Sequence, residues 1–127
     1  MQKAFSYLRD SGDSQLEGDG FARQSAAIKT YAKQHGYRIV HTYREEGVTG
    51  AKETMDRPAR KEMMTALHAN GVHVVLIEKL DRLARGLMVQ EAAIAELAKQ
   101  GFTLVSVCEP ELMSDDPWRR AFRQMMR

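Results

Sequence analysis

Val72-His73-Val74-Val75-Leu76-Ile77-Glu78-Lys79-Leu80-Asp81-Arg82-Leu83-Ala84-Arg85 decides how this chain is read. Val72 to Glu78 is its most apolar strand candidate, and a short continuous apolar run suits a strand buried on both faces. Directly after it stand one acid and two arginines three residues apart. If a helical turn starts there, Arg82 and Arg85 share a face. Ligand sites in open α/β sheets form at the carboxyl ends of strands. Two guanidiniums in such a place predict an anionic ligand, of which phosphate is the usual one.

Working outward, strand and helix signals alternate. Ala4 to Arg9 reads as a first strand. Asp10 to Gly20 holds Gly12, Gly18 and Gly20 among small polar residues and reads as a loop. Phe21 to His35 reads as a helix ended by Gly36. Tyr37 to Tyr43 is a second strand, and Glu45 to Asp56 a long polar loop. Asp56 is placed to cap a helix starting at Arg57-Pro58, where the missing proline N–H does no harm. That helix runs to Asn70 and ends at Gly71. Met88 to Gln100 is a third helix, closed by Gly101, and Phe102 to Val107 a fourth strand. The βαβαβαβ order predicts an α/β fold in three layers, with a mainly parallel sheet of four to five strands and helices on both faces.

The tail differs. Asp116 is a cap candidate and Pro117 fits a first helical position. Trp118, Ala121, Phe122, Met125 and Met126 follow at helical spacing. An isolated helix needs about 12–15 residues, so this short segment is expected to continue or to pack on something.

Composition bounds the rest. A chain of 127 residues is one domain, and 43% apolar with 28% charged residues is an ordinary globular profile. The net charge of +2 argues little for nucleic acid by itself. Its distribution says more: Asp10 to Asp19 is acidic, whereas Arg119, Arg120, Arg123 and Arg127 crowd the end. The single cysteine, Cys108, excludes an internal disulfide, and beside the run Phe102 to Val107 it is expected to be a buried core thiol. No signal-peptide pattern or membrane-length apolar run is visible, so a cytoplasmic protein is expected.

Ser11 lies two residues after Arg9. If the first and third strands are neighbours, Arg9, Ser11, Asp81, Arg82 and Arg85 converge at one sheet edge. Hydrolytic triads use a histidine to take the serine proton. Here His35, His41, His68 and His73 read as structural, and none has zinc-ligand spacing. Arginines suit a different reaction. Attack on a phosphodiester builds negative charge on the non-bridging oxygens, which fixed guanidiniums stabilise. They also favour the alkoxide of a nearby serine, so phosphoryl transfer could proceed with no metal. Asp81 could give a proton to a leaving oxygen or could orient Arg82. Each feature alone has a simpler reading: Arg9-x-Ser11 as a turn, Asp81 to Arg85 as a solvated helix start, Asp56-Arg57-Pro58 as a cap.

Together they resemble a family. Tyr7-Leu8-Arg9-x-Ser11 with Gln15 is similar to the amino-terminal motif of the serine recombinases, the resolvases and invertases. Arg23-Gln24 resembles the Arg-Gln of their first helix, and Glu45-Glu46-Gly47-Val48-Thr49-Gly50 their Asp-Glu-Gly-Ile-Ser-Gly loop. Asp56-Arg57-Pro58 resembles their Arg-Pro motif. Lys79 to Arg85 is similar to their Lys-Leu-Asp-Arg-Leu-x-Arg almost letter for letter. Five motifs in the right order span nearly the whole chain. Arg123-Gln124-Met125-Met126 resembles the start of the long helix in the large serine recombinase branch.

The resemblance implies site-specific DNA recombination. Ser11 would attack a DNA phosphodiester and form a 5′-phosphoserine linkage, with strand exchange in a synaptic homotetramer of two homodimers and religation by reverse attack. No metal or other cofactor is implied. Arg9, Arg82 and Arg85 would bind the scissile phosphate with Arg57 nearby. Asp81 would be the candidate acid, Gln15 and Gln24 would position phosphate or Ser11, and Glu45 would match a carboxylate of the second-strand loop. The chain departs from the family at Asp10, where a small apolar residue is usual, at Glu45 for Asp and at Thr49 for Ser. By strand alternation Asp10 points away from Arg9 and Ser11.

Two other readings are a non-catalytic assembly module that kept the fold and a small-molecule phosphate-binding domain. Ser11 kept together with Arg9, Arg82 and Arg85 favours catalysis. Family members continue into a dimer interface and a DNA-binding domain. Residues 1–115 are therefore expected to be the catalytic domain and 116–127 the truncated start of the interface helix, with the DNA-binding domain absent. Such a fragment, a monomer or weak dimer, is expected to recombine weakly or not at all. It should bind double-stranded DNA weakly, with no sequence preference, and with an affinity that falls steeply with salt. Titrations at several salt concentrations check this; tight, sequence-selective binding would contradict it.

Overall fold

The computed structural model describes residues 1–9, 18–45, 58–83 and 86–109. Strand β1 spans Gln2–Arg9, α1 Gly18–His35, β2 Tyr37–Glu45, α2 Pro58–Asn70 and β3 Val74–Ile77. A single turn, α3, spans Leu80–Leu83, followed by α4 at Leu87–Lys99 and β4 at Thr103–Ser106. The four strands form one sheet in the order β2-β1-β3-β4, and every pairing is parallel.

This order follows from two opposite crossovers. The chain steps from β1 to β2 on one side, returns over β1 to β3, and continues outward to β4. Right-handed connections then place α1 on one face and α2 with α4 on the other. Two apolar clusters match these layers. Ala4, Leu8, Val74 and Leu76 pack with Ile28 and Ala32 of α1. Phe5, Tyr7, Val75 and Ile77 pack with Met63 and Leu67 of α2 and Leu97 of α4. Alternate residues of β1 and β3 thus face opposite layers, which is why β3 is apolar throughout.

Most boundaries lie within two residues of the sequence reading. At α1 the helix begins at Gly18 rather than Phe21. Glycine propensity argues against helix there, but Gly20 is buried, and packing overrides propensity. β2 runs on to Glu45 because Arg44 and Glu45 still pair with Leu8 and Arg9. Cys108 is exposed rather than a core thiol. Strand β4 has ended at Ser106, and Cys108 stands in the turn beyond, its N–H donating to Glu78 O at 3.0 Å. The end of α4 shows why a glycine is needed there. Gly101, at φ 88°, directs its N–H to Ala98 O at 3.0 Å and that of Phe102 to Leu97 O at 2.8 Å, satisfying carbonyls that the helix leaves open.

The four histidines are exposed. His35 stacks on Tyr31 at 3.9 Å between centroids, and His68 hydrogen-bonds Gln100 at 2.7 Å. Among the described residues no cluster of His, Cys, Asp and Glu could hold a metal, and no helix is long and apolar enough to cross a membrane.

Leu76 is wholly buried in a strand paired on both sides. Leu76→Ala is expected to lower unfolding stability by about 2–5 kcal/mol. Denaturant unfolding measures it, and a loss below about 1 kcal/mol would mean this layer is not the packed core described.

Candidate active site

β1 and β3 lie side by side, and the chain reverses its direction of travel between them. That is the switch point at which open α/β sheets form ligand crevices. β1 ends there on Arg9, only 3% exposed. Its main chain is clasped by the buried side-chain amide of Gln24 from α1. Arg9 N donates to Gln24 Oε1 at 3.2 Å, and Gln24 Nε2 donates to Arg9 O at 3.0 Å. The amide thus extends the hydrogen bonding of β1 past its last strand residue, meeting groups that burial would otherwise leave costly.

α3 closes the crevice from the β3 side. Arg9 Nη2 donates to Asp81 O at 2.9 Å, and Arg82 Nη1 donates back to Arg9 O at 3.3 Å. Arg9 at the end of β1 is thereby tied to the backbone of α3, and Arg82 of α3 to the backbone of Arg9. The first turn of α3 is held in turn by Glu109, whose Oε1 accepts from Leu80 N at 2.7 Å and Ser106 Oγ at 3.0 Å.

Between the arginines and α1 stands Glu78, its side chain 4% exposed. Arg23 reaches it with Nε to Oε2 at 3.1 Å and Nη2 to Oε1 at 3.4 Å. Arg82 Nε donates to Oε1 at 3.2 Å. Burial alone would raise the Glu78 pKa, but hydrogen bonds and charge from Arg23 and Arg82 outweigh it and hold the carboxyl below its ordinary 4.5.

Glu45, expected in a loop, is the last residue of β2 and is buried, in register with Arg9. Its carboxylate accepts from Tyr7 OH at 3.1 Å and from the N–H groups of Ala59 and Arg60, both at 3.1 Å. Those are donors of the first turn of α2. Glu45 therefore caps the first turn of α2; Asp56, the cap candidate of the sequence reading, lies outside the described residues. An anion at a helix N-terminus is favoured by orphan donors and dipole alike.

Arg9, Arg82, Asp81 and Gln24 are thus brought together, with Glu45 one strand away. The Asp81 side chain is 61% exposed, 3.9 Å from Arg82 Nε. Ser11, Gln15, Arg57 and Arg85 lie outside the described residues, as does Asp10. Sequence reasoning missed Glu78 and Glu109. A signal for Glu78 was present: one acid closing an apolar run, four residues before an arginine.

The family model for the resolvase N-terminal domain matches residues 4–127. The chain belongs to the resolvase family. Its fold is that of serine recombinase catalytic domains. The N-terminal catalytic domain of TP901-1 integrase superposes with a TM-score of 0.79 at 24% identity, covering 98% of this chain and 91% of that one. A resolvase family site-specific recombinase from Streptococcus pneumoniae gives 0.77 at 23% identity, covering 99% and 85%. A serine recombinase from Sulfolobus solfataricus gives 0.60 at 20% identity, covering 99% and 79%. No match was found among curated protein sequences.

The lowered Glu78 pKa has a definite sign. A carboxylate whose folded pKa lies below its unfolded value adds stability that is present above the unfolded pKa and lost as pH falls through the folded one. Glu78→Gln should therefore be less stable than the parent at pH 7, by about 1–3 kcal/mol once the exposure of Arg23 is discounted. The gap should close as pH falls below about 4.5. Urea midpoints of both proteins across this range test it; a gap independent of pH would contradict the ion-pair account.

Proposed function

We propose that this resolvase-family domain is the catalytic part of a site-specific DNA recombinase that cuts and rejoins duplex DNA through a phosphoserine. The observation that carries the proposal is the cross-tie between Arg9, at the end of β1, and the turn α3 that follows the adjacent parallel strand β3 and carries Arg82. It sets two guanidiniums at a switch-point crevice, beside the strand that leads to Ser11. Only Asp10 separates Ser11 from Arg9, so chain length alone keeps the two Cα atoms within about 7 Å.

In this mechanism Ser11 Oγ attacks the phosphorus of the scissile phosphodiester. A new P–O bond forms to the serine, and the bond to the 3′-oxygen breaks. The serine proton passes to solvent or a neighbouring base, and the departing oxygen takes up one proton. Asp81, with its exposed carboxyl at the crevice, is the proposed donor. Arg9, Arg82 and Arg85 stabilise the charge on the non-bridging oxygens, with Arg57 beside them. Gln24 acts by fixing the main chain of Arg9, and Gln15 by positioning phosphate or serine. Glu45 contributes by holding the start of α2, next to Arg57. Rejoining is the reverse attack by the 3′-hydroxyl of the exchanged strand. The phosphoserine conserves the bond energy, so no metal or other cofactor is required.

The same proposal takes residues 1–115 as the catalytic domain and 116–127 as the start of an interface helix. The partners are duplex DNA and further copies of the protein, a dimer in the resting state and a tetramer at synapsis.

Incubation of the full-length recombinase with supercoiled DNA bearing its site, quenched in denaturant, should trap a covalent protein–DNA adduct. Ser11→Ala should abolish it, and Arg9→Ala or Arg82→Ala should reduce it by about 100-fold or more. An adduct that persists in Ser11→Ala removes the nucleophile assignment.

A further inference from the structure

We infer that Glu78 is a positioning residue for this reaction: its buried carboxylate sets the guanidinium of Arg82 in the orientation that meets the scissile phosphate. The inference rests on the recombinase reading and extends it to a residue outside the motifs that carry the family resemblance.

The geometry is specific. Arg82 donates Nε to Glu78 Oε1 at 3.2 Å and Nη1 to Arg9 O at 3.3 Å. Two bonds from one planar group to two fixed acceptors define both its plane and its rotation. One acceptor follows β3 and the other ends β1, so the guanidinium is referenced to the paired centre of the sheet rather than to the short turn that carries it. Sites supported in this way are held more tightly than sites left to loops.

Glu78 is itself fixed. Its side chain is 4% exposed, and Arg23 of α1 grips it with both Nε and Nη2. Its backbone carbonyl accepts from Cys108 N at 3.0 Å and Ser106 Oγ at 3.4 Å, tying the same residue to the turn after β4. Two elements thus converge on its carboxylate and a third on its main chain. Arg23, 59% exposed, favours the charged form of the carboxylate.

The opposite role is a brake, in which Glu78 competes with phosphate for Arg82. Geometry argues against it. Glu78 takes Arg82 through Nε, while Nη1 is directed to Arg9 O at the end of β1, so the carboxylate holds the guanidinium toward the crevice. The two roles predict opposite signs for the same substitution.

The test compares wild type, Ser11→Ala, Glu78→Gln and Glu78→Ala in the full-length recombinase, measuring DNA binding and adduct formation separately on supercoiled DNA bearing its site. Glu78→Ala should slow adduct formation about 100-fold, the scale of a small misplacement of a catalytic group. Glu78→Gln, which keeps one acceptor oxygen, should slow it about tenfold while DNA affinity stays within about twofold. If Glu78→Ala does not fold, Glu78→Gln decides alone, its folding checked by thermal unfolding. Unchanged or faster adduct formation overturns the positioning role, and so does an equal loss of binding and cleavage. If wild type gives no adduct, or Ser11→Ala gives one, the recombinase reading falls and takes this inference with it. If wild type reacts, Ser11→Ala does not and Glu78→Gln matches wild type, only the inference falls.

Discussion

Arg9 is a cation with 3% of its surface exposed, placed where the central strand of the sheet ends. Taking a guanidinium out of water costs several kcal/mol unless its donors are met by well-placed acceptors. That requirement organises the surroundings. Gln24 must stand against the end of β1 to hold the backbone, which fixes the rotation of α1. The Asp81 carbonyl must come within reach of Nη2, which fixes the turn after β3. Arg82 follows from that turn, and its bond to Arg9 O closes the loop of contacts. An apolar residue at position 9 would keep the backbone bonds to Gln24 and Arg82 but lose the bond to the Asp81 carbonyl, and with it the tie between the turn after β3 and the end of β1.

The same logic runs outward through carboxylates. Glu78 is buried because Arg23 and Arg82 meet it from two sides. Glu45 is buried because a tyrosine hydroxyl and two helix donors meet it. Glu109 serves the first turn of α3. Each joins elements far apart in sequence, and each sits near the carboxyl ends of the strands. The opposite end of the sheet has no comparable network among the described residues. Polar joints are therefore concentrated where the proposed chemistry would occur, and apolar packing carries the remainder of the fold.

This division explains what could be read from sequence. Periodicity and glycine punctuation are local signals, and they placed β1 to β4 and the three long helices to within a few residues. The adjacency of β1 and β3 was also legible, as the usual outcome of a doubly wound order. Burial of polar groups was not. Glu45 reads as a loop residue because nothing nearby in sequence shows that Tyr7 and Ala59 will meet it. Gln24 pairs with a backbone fifteen positions away, and Glu78 with an arginine fifty-five away. Cys108 was misplaced for the reverse reason: an apolar run beside it suggested core, but the strand had already ended. The meeting of Arg9 and Arg82 was legible because the strands that lead to them are neighbours.

A crevice assembled from buried charges also couples folding to binding. The fold holds Arg9 and Arg82 together at the end of β1, and two guanidiniums kept at close range weaken the folded state through their mutual repulsion. An anion that bound there would relieve it, and a ligand that binds only the folded form stabilises that form by mass action. In the proposed reaction the anion is the phosphate of the substrate. The groups that make the empty domain less stable than an apolar equivalent are then the groups that make phosphate complementary to it. Replacing any one of them acts on both quantities at once. A loss of reaction rate can be assigned to chemistry only where the folding free energy of the same variant is known.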